Sequence, residues 1–181
     1  MVGALYLFYQ YPTKIPSSSF YLTLVIITLG TYVIPVASSL LLFKFNLITS
    51  LEMGNAKDRK IPYFIGGISY FSIAYILSQM PIPSGIFQFL LGSGIVISVH
   101  FFLLPFFKPS AHMAGIGGFL GLIMGFALKW DLAALPEIAI CLLVAGLLGT
   151  ARLRLKAHTF FELAFGFFSS WLLIFVLIFR S

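Results

Sequence analysis

Residues 61–107 read IPYFIGGISYFSIAYILSQMPIPSGIFQFLLGSGIVISVHFFLLPFF, 47 consecutive positions between Lys60 and Lys108 without an Asp, Glu, Lys or Arg. A helix that crosses a bilayer needs about 20 apolar residues, so this run holds two. The turn signal Pro81-Ile82-Pro83-Ser84-Gly85 divides it into spans over roughly 62–80 and 84–106. Upstream, the charge-free interval from Lys14 to Lys44 encloses a span over about 19–43, interrupted only by Gly30 and Pro35. Downstream, three more runs fall at about 110–128, 132–150 and 160–179. None alternates apolar with polar residues as the strands of a membrane barrel do. The sequence therefore predicts an all-α integral membrane protein, a six-transmembrane-helix bundle forming one membrane domain over 1–181.

Composition agrees. The chain is 60% hydrophobic and 9% charged, whereas soluble domains run at about 45–50% and 25%. A water-soluble globule, a disordered chain, a coiled coil and a disulfide scaffold are all excluded. Eleven basic against five acidic residues give a net charge of +6. The charges are too few and too scattered to track a nucleic-acid backbone. A basic rim facing anionic lipid or phosphate fits them better. Cys141 is the single cysteine and forms no internal disulfide. Residues 1–12 show neither a basic n-region nor a small-residue cleavage site, so targeting is expected from the spans themselves. Gly117, Gly121 and Gly125 recur every four residues in the fourth span, a small stripe read as a helix-packing face. No internal repeat of the inverted-transporter kind is present.

Ionisable groups in lipid are expensive, about 2.5–3.5 kcal/mol at a helix centre, and so are candidates for function. Six spans put both termini on one face and the segments 44–61, 106–110 and 151–159 on the other. That second face carries Lys44, Lys57, Arg59, Lys60, Lys108, Arg152, Arg154 and Lys156, eight of the eleven basic residues. His112 and His158 join them, with Glu162 one turn into the last helix. His158 and Glu162 are four residues apart and share a helix face. A carboxylate bonded to one imidazole nitrogen fixes the tautomer and leaves the other nitrogen to attack or to carry a proton. Ser110 and His112 open a helix, whose first N–H groups favour phosphate. Arg152 and Arg154 offer bidentate donors suited to phosphoryl oxygens. The plainer alternative is that basic residues anchor loops at headgroups while the histidines cap helices. His100, inside the third span, reads as a packed histidine bonded to a neighbouring helix.

The run from Ala151-Arg152 through His158 to Glu162 resembles the third signature of the type 2 phosphatidic acid phosphatase superfamily, S-R-x5-H-x3-D. Pro109-Ser110-Ala111-His112 is similar to its second signature, P-S-G-H. The departures are Ala151 for serine, Ala111 for glycine, Glu162 for aspartate, and a poor first signature, K-x6-R-P. There Ile61 precedes Pro62 and Glu52 stands seven residues before Arg59, with Lys57, Arg59 and Lys60 supplying charge nearby. A small bacterial branch of the family looks similar in this loosened form.

The resemblance implies a lipid phosphate or diphosphate phosphatase with a phosphohistidine intermediate and no cofactor or metal. It implies His158 as nucleophile, His112 as acid and base, and Glu162 as the group that orients His158. Arg152, Ser110, Arg59, Lys57, Lys60, Lys108 and Arg154 are then the phosphate-binding residues. Its expected partners are membrane lipids, with polyprenyl diphosphate, phosphatidic acid or phosphatidylglycerol phosphate as substrate, and no nucleic acid. Two rivals stay open at this point: a relative that binds or transfers lipid phosphates with little turnover, and a small transporter or assembly subunit. Orientation turns on what the basic residues do. Discounting Lys57, Arg59, Lys108, Arg152 and Arg154 as ligands leaves three basic residues on each face. The charge rule is then neutral. The resemblance implies a bacterial inner-membrane protein whose site lies outside the cytoplasm.

Overall fold

A computed structural model describes Tyr6 and residues 17–181; the other residues of 1–12, and Lys14, lie outside the described residues. The fold is all-α, with no strand among the described residues. Helices α1 (Ser17–Thr28) and α2 (Ile34–Lys44) are joined through a wide π turn, Leu29–Val33. They are followed by α3 (Ala56–Ser78), α4 (Ser84–Leu103), α5 (Ala111–Trp130), α6 (Leu135–Arg154) and α7 (Phe160–Arg180). Among the described residues six helices, the first running through the π turn as Ser19–Lys44, are long and apolar enough to cross a membrane. Lipid offers backbone groups no partners, so apolar runs of this length satisfy their N–H and C=O groups inside helices. The chain is an integral membrane protein.

Two boundaries move furthest from the sequence expectation. The second span begins at Ala56, not near 62, so Lys57, Arg59 and Lys60 lie on its first turns. Pro62 sits inside the helix without ending it. The fifth span runs to Arg154, which puts Arg152 and Arg154 in the last turn of α6 instead of in a loop. Cations are favoured there by the unsatisfied carbonyls of a helix C-terminus.

The chain divides into two compact units, Met1–Leu104 and Pro105–Ser181. In the first, the π turn ends two residues before Pro35, whose ring excludes a regular turn beneath it. Gly30 lies in that turn, and a Cβ there would stand 1.2 Å from Ile73 Cδ1. The Ser69 hydroxyl donates to the Gly30 carbonyl at 2.6 Å, bonding α3 to the widened turn. The segment before α3 is tied down by polar residues. Thr49 donates its N–H to Asp58 Oδ1 at 3.2 Å and its hydroxyl to Oδ2, and Arg59 Nε donates to the Met53 carbonyl at 2.9 Å.

In the second unit the Gly117, Gly121 and Gly125 stripe of α5 packs directly on α7. Added Cβ atoms would meet the carbonyl oxygens of Phe167, Trp171 and Phe175 at 2.2, 2.4 and 3.0 Å. The packing reading of the stripe is what the structure shows. Trp171, Phe175 and Phe179 stack along α7, and Trp171 Nε1 donates to Met124 Sδ at 3.3 Å. Cys141 is buried on α6, its thiol directed at the Ile116 carbonyl. Three spans in alternating directions bring the start of α5, the end of α6 and the start of α7 to one end of this unit.

Candidate functional site

Thr159 begins α7 as its N-cap. Its hydroxyl accepts from the Glu162 N–H at 3.3 Å, while Glu162 Oε2 accepts from the Thr159 N–H at 2.8 Å. This reciprocal box needs a Ser or Thr followed three residues later by Glu or Gln. It gives a physical reason for glutamate at 162, because the side chain must fold back over one turn. The other carboxylate oxygen, Oε1, accepts from the Lys108 N–H at 3.0 Å. Ser110 N–H donates to the Glu162 carbonyl at 3.1 Å. The segment before α5 is thus bonded twice to one residue of α7. Gly166 makes the approach possible, since a Cβ there would lie 2.6 Å from the Ser110 oxygen.

His158 is buried at this junction. Its Nδ1 lies 3.1 Å from the Lys108 carbonyl and 3.3 Å from Glu162 Oε2. Both neighbours are acceptors, so Nδ1 carries the proton and a neutral ring holds its lone pair on Nε2. The turn leading into His158 is equally defined. Ala157 N–H donates to the Arg152 carbonyl and Lys156 N–H to the Leu153 carbonyl, at 3.1 and 2.9 Å. That is the double closure of a Schellman motif, with Lys156 at φ 50° where glycine is usual.

On the same end of the unit, Arg152 Nη2 lies 3.0 Å from His112 Nδ1 and 2.5 Å from its Nε2. A guanidinium only donates, so a hydrogen bond here uses the unprotonated nitrogen of a neutral His112 ring. His112 is exposed and Arg152 half-buried.

The sequence-predicted residues are placed as follows. His158, Glu162 and the backbone of Lys108 meet, and His112 meets Arg152. Ser110 is fully buried, its hydroxyl accepting from Met113 N–H at 3.4 Å as the N-cap of α5. Arg154 is exposed beyond Arg152. Lys57, Arg59 and Lys60 belong to the first unit, where Lys57 and Lys60 are exposed and Arg59 is buried against the segment it ties. His100 is buried in α4 within electrostatic reach of Arg59. Among the described residues no group of three or more His, Cys, Asp or Glu is placed to hold a metal ion.

Sequence reasoning missed three contributors. The Lys108 backbone both donates to Glu162 and accepts from His158, which no side-chain motif records. Thr159 was legible from the spacing Thr159-x-x-Glu162, and Gly166 only as an isolated glycine in a helix.

No protein-family model, curated protein or solved structure matches the chain.

Proposed function

We propose that this is a membrane lipid phosphatase that hydrolyses a phosphomonoester or diphosphate through a phosphohistidine at His158. The observation that carries the reading is the double acceptor environment of His158 Nδ1, which aims chemistry at Nε2. In the first step Nε2 forms a bond to phosphorus as the bond to the lipid oxygen breaks. A protonated His112 delivers its proton to that oxygen. In the second step neutral His112 takes a proton from water, whose oxygen displaces His158 from phosphorus. The Arg152–His112 contact matches the neutral form required for this second step, and Arg152 moves to phosphoryl oxygens when substrate is present. Phosphoryl transfer depends mainly on positioning and on charge at the equatorial oxygens, which Arg152, Lys108 and Arg154 supply. The resemblance to the type 2 phosphatidic acid phosphatases leads to the same roles. The site belongs outside the cytoplasm of a bacterial inner membrane, with Ser181 on the cytoplasmic side.

Phosphate release by purified protein from a panel of polyprenyl diphosphate, phosphatidic acid and phosphatidylglycerol phosphate tests the activity. Release from at least one lipid is expected, persisting in EDTA and inhibited by vanadate, which adopts the five-coordinate shape of the transition state. No release from any of them overturns the reading. For orientation, a cysteine replacing exposed Leu155 in a Cys141→Ser background should react with an impermeant thiol reagent on intact cells. One replacing Ser181 should not, and the reverse pattern places the site in the cytoplasm.

A further inference from the structure

We infer that Phe107, Phe161 and Phe165 form a wall that binds the apolar chain of the substrate, so that the site selects long-chain phosphate amphiphiles over short or free phosphates. The inference rests on the phosphatase reading of the same site. The three rings close a triangle: Phe107 lies 5.0 Å from Phe165 at 83° and 5.1 Å from Phe161 at 64°. Phe161 and Phe165 are 6.1 Å apart. Edge-to-face contacts of this kind hold each ring in a defined orientation.

Phe107 immediately precedes Lys108, and Phe161 immediately precedes Glu162. The Lys108–Glu162 hydrogen bond that organises His158 therefore also anchors the wall. Phe161 is 60% exposed, Phe107 and Phe165 are half-buried behind it, and the neighbouring Phe106 and Phe160 are exposed, so the wall presents one open ring backed by two partly covered ones. Residues that merely mark a bilayer interface are typically Trp and Tyr, whose polar ends reach the headgroups. Phenylalanine has no polar end and suits a wholly apolar partner.

At the same end of this unit Lys108, Arg152, Arg154 and Lys156 outnumber the one carboxylate, Glu162. An anionic head is thus favoured next to an apolar chain, the charge pattern of a single amphiphile. Inorganic phosphate would satisfy only the basic half.

The test uses the full chain in phosphatidylcholine nanodiscs and a hexadecyl phosphate carrying a diazirine near its phosphate end. Photolabel should fall on the segments around Phe107 and Phe161–Phe165. Hexadecyl phosphate should compete it away, while hexadecanol, butyl phosphate and inorganic phosphate should not. Equal competition by hexadecanol would reduce the wall to a lipid-facing surface and overturn the inference. Equal competition by butyl or inorganic phosphate would remove the chain from recognition and do the same.

In turnover, the ratio of kcat/KM for hexadecyl phosphate to that for butyl phosphate should fall about tenfold in a Phe107→Ala, Phe161→Ala double variant. Phe161→Leu, at an exposed position, should lower the ratio less, and an unchanged ratio in both variants refutes the inference. The two readings fail separately. Correctly competed label without release from any ester removes the hydrolytic reading and leaves the wall. Release with an unchanged ratio removes the wall and leaves the phosphatase.

Discussion

Two clusters of basic residues look alike in sequence and differ in what they hold. On the first turns of α3, Asp58 accepts from Thr49 and Arg59 donates to the Met53 carbonyl, so the polar groups fasten the preceding segment to the helix. At the joined ends of α5, α6 and α7, the polar groups act on two imidazoles. Glu162 and the Lys108 carbonyl set the tautomer of His158, while Arg152 bonds His112. The first arrangement spends its hydrogen bonds on backbone position. The second fixes where protons and lone pairs lie, which is what a reaction needs. A cluster of charges is informative about function through the kind of atom its members bond, more than through its net charge.

The largest effects that would break this contrast are at the histidines. His158→Ala should abolish phosphate release, because it removes the imidazole whose Nδ1 is held by the Lys108 carbonyl and Glu162 and whose Nε2 is the proposed nucleophile. His112→Ala should lose roughly 10²–10⁴-fold, as expected when an acid–base group is removed. Retention of full release by either variant, in protein that inserts and purifies normally, would equate the second cluster with the first.

Glu162 comes next because it serves both purposes at once. Glu162→Gln keeps an acceptor for the Thr159 N–H, since glutamine also closes a capping box. Glu162→Ala removes that bond together with the acceptor for Lys108 N–H and the partner of His158. Release should therefore fall more in Glu162→Ala than in Glu162→Gln, and thermal stability should fall in both but less in Glu162→Gln, which loses only the acceptor for Lys108 N–H. Equal losses of stability in both would mean that the charge, more than the cap, organises the junction.

How much of this could be read from the sequence depends on the kind of signal. Span number and order followed from charge-free intervals, because lipid excludes charge over lengths that a sequence displays directly. The Gly117–Gly125 stripe identified a packing face because glycine is the only residue that admits the carbonyls of Phe167 and Trp171 so closely. The pairing of His158 with Glu162 was legible from a spacing of four. The contact between Arg152 and His112 was not, since 40 positions separate them and only tertiary packing joins them. Helix ends were displaced at 56 and 154 because basic residues were read as loop; at 154 the final turn of a helix accommodates them well. Arg59 shows the limit of type and position: its place in the sequence does not disclose that its Nε donates to the Met53 carbonyl.

A smaller effect tests the first cluster. Arg59→Ala should cost about 1–3 kcal/mol of stability, the loss of a charged donor to a carbonyl that is left without it. Asp58→Asn should weaken the Thr49 attachment and act in the same direction. Thermal unfolding in detergent checks both. If Arg59→Lys instead lowers kcat/KM as much as Arg152→Lys does, with unfolding unchanged, then Arg59 is a substrate ligand and the contrast between the clusters fails.

The smallest expected effect lies in the turn that delivers His158. Lys156 occupies the left-handed region at φ 50°, where an L side chain brings its Cβ close to the backbone at a cost of about 1 kcal/mol. Glycine removes that cost but loses more conformational freedom on folding, which returns roughly 0.5–1 kcal/mol in the other direction. Lys156→Gly should consequently change the unfolding temperature little, with any shift upward. The Schellman closure, Ala157 to Arg152 and Lys156 to Leu153, uses backbone groups that glycine retains, so His158 should keep its place. Lys156→Pro is the opposite case, because proline cannot adopt φ 50° and removes the N–H that bonds Leu153. That variant should lose phosphate release along with stability. Release unaffected by Lys156→Pro would mean that the turn does not position His158, and that the Glu162 and Lys108 contacts suffice by themselves.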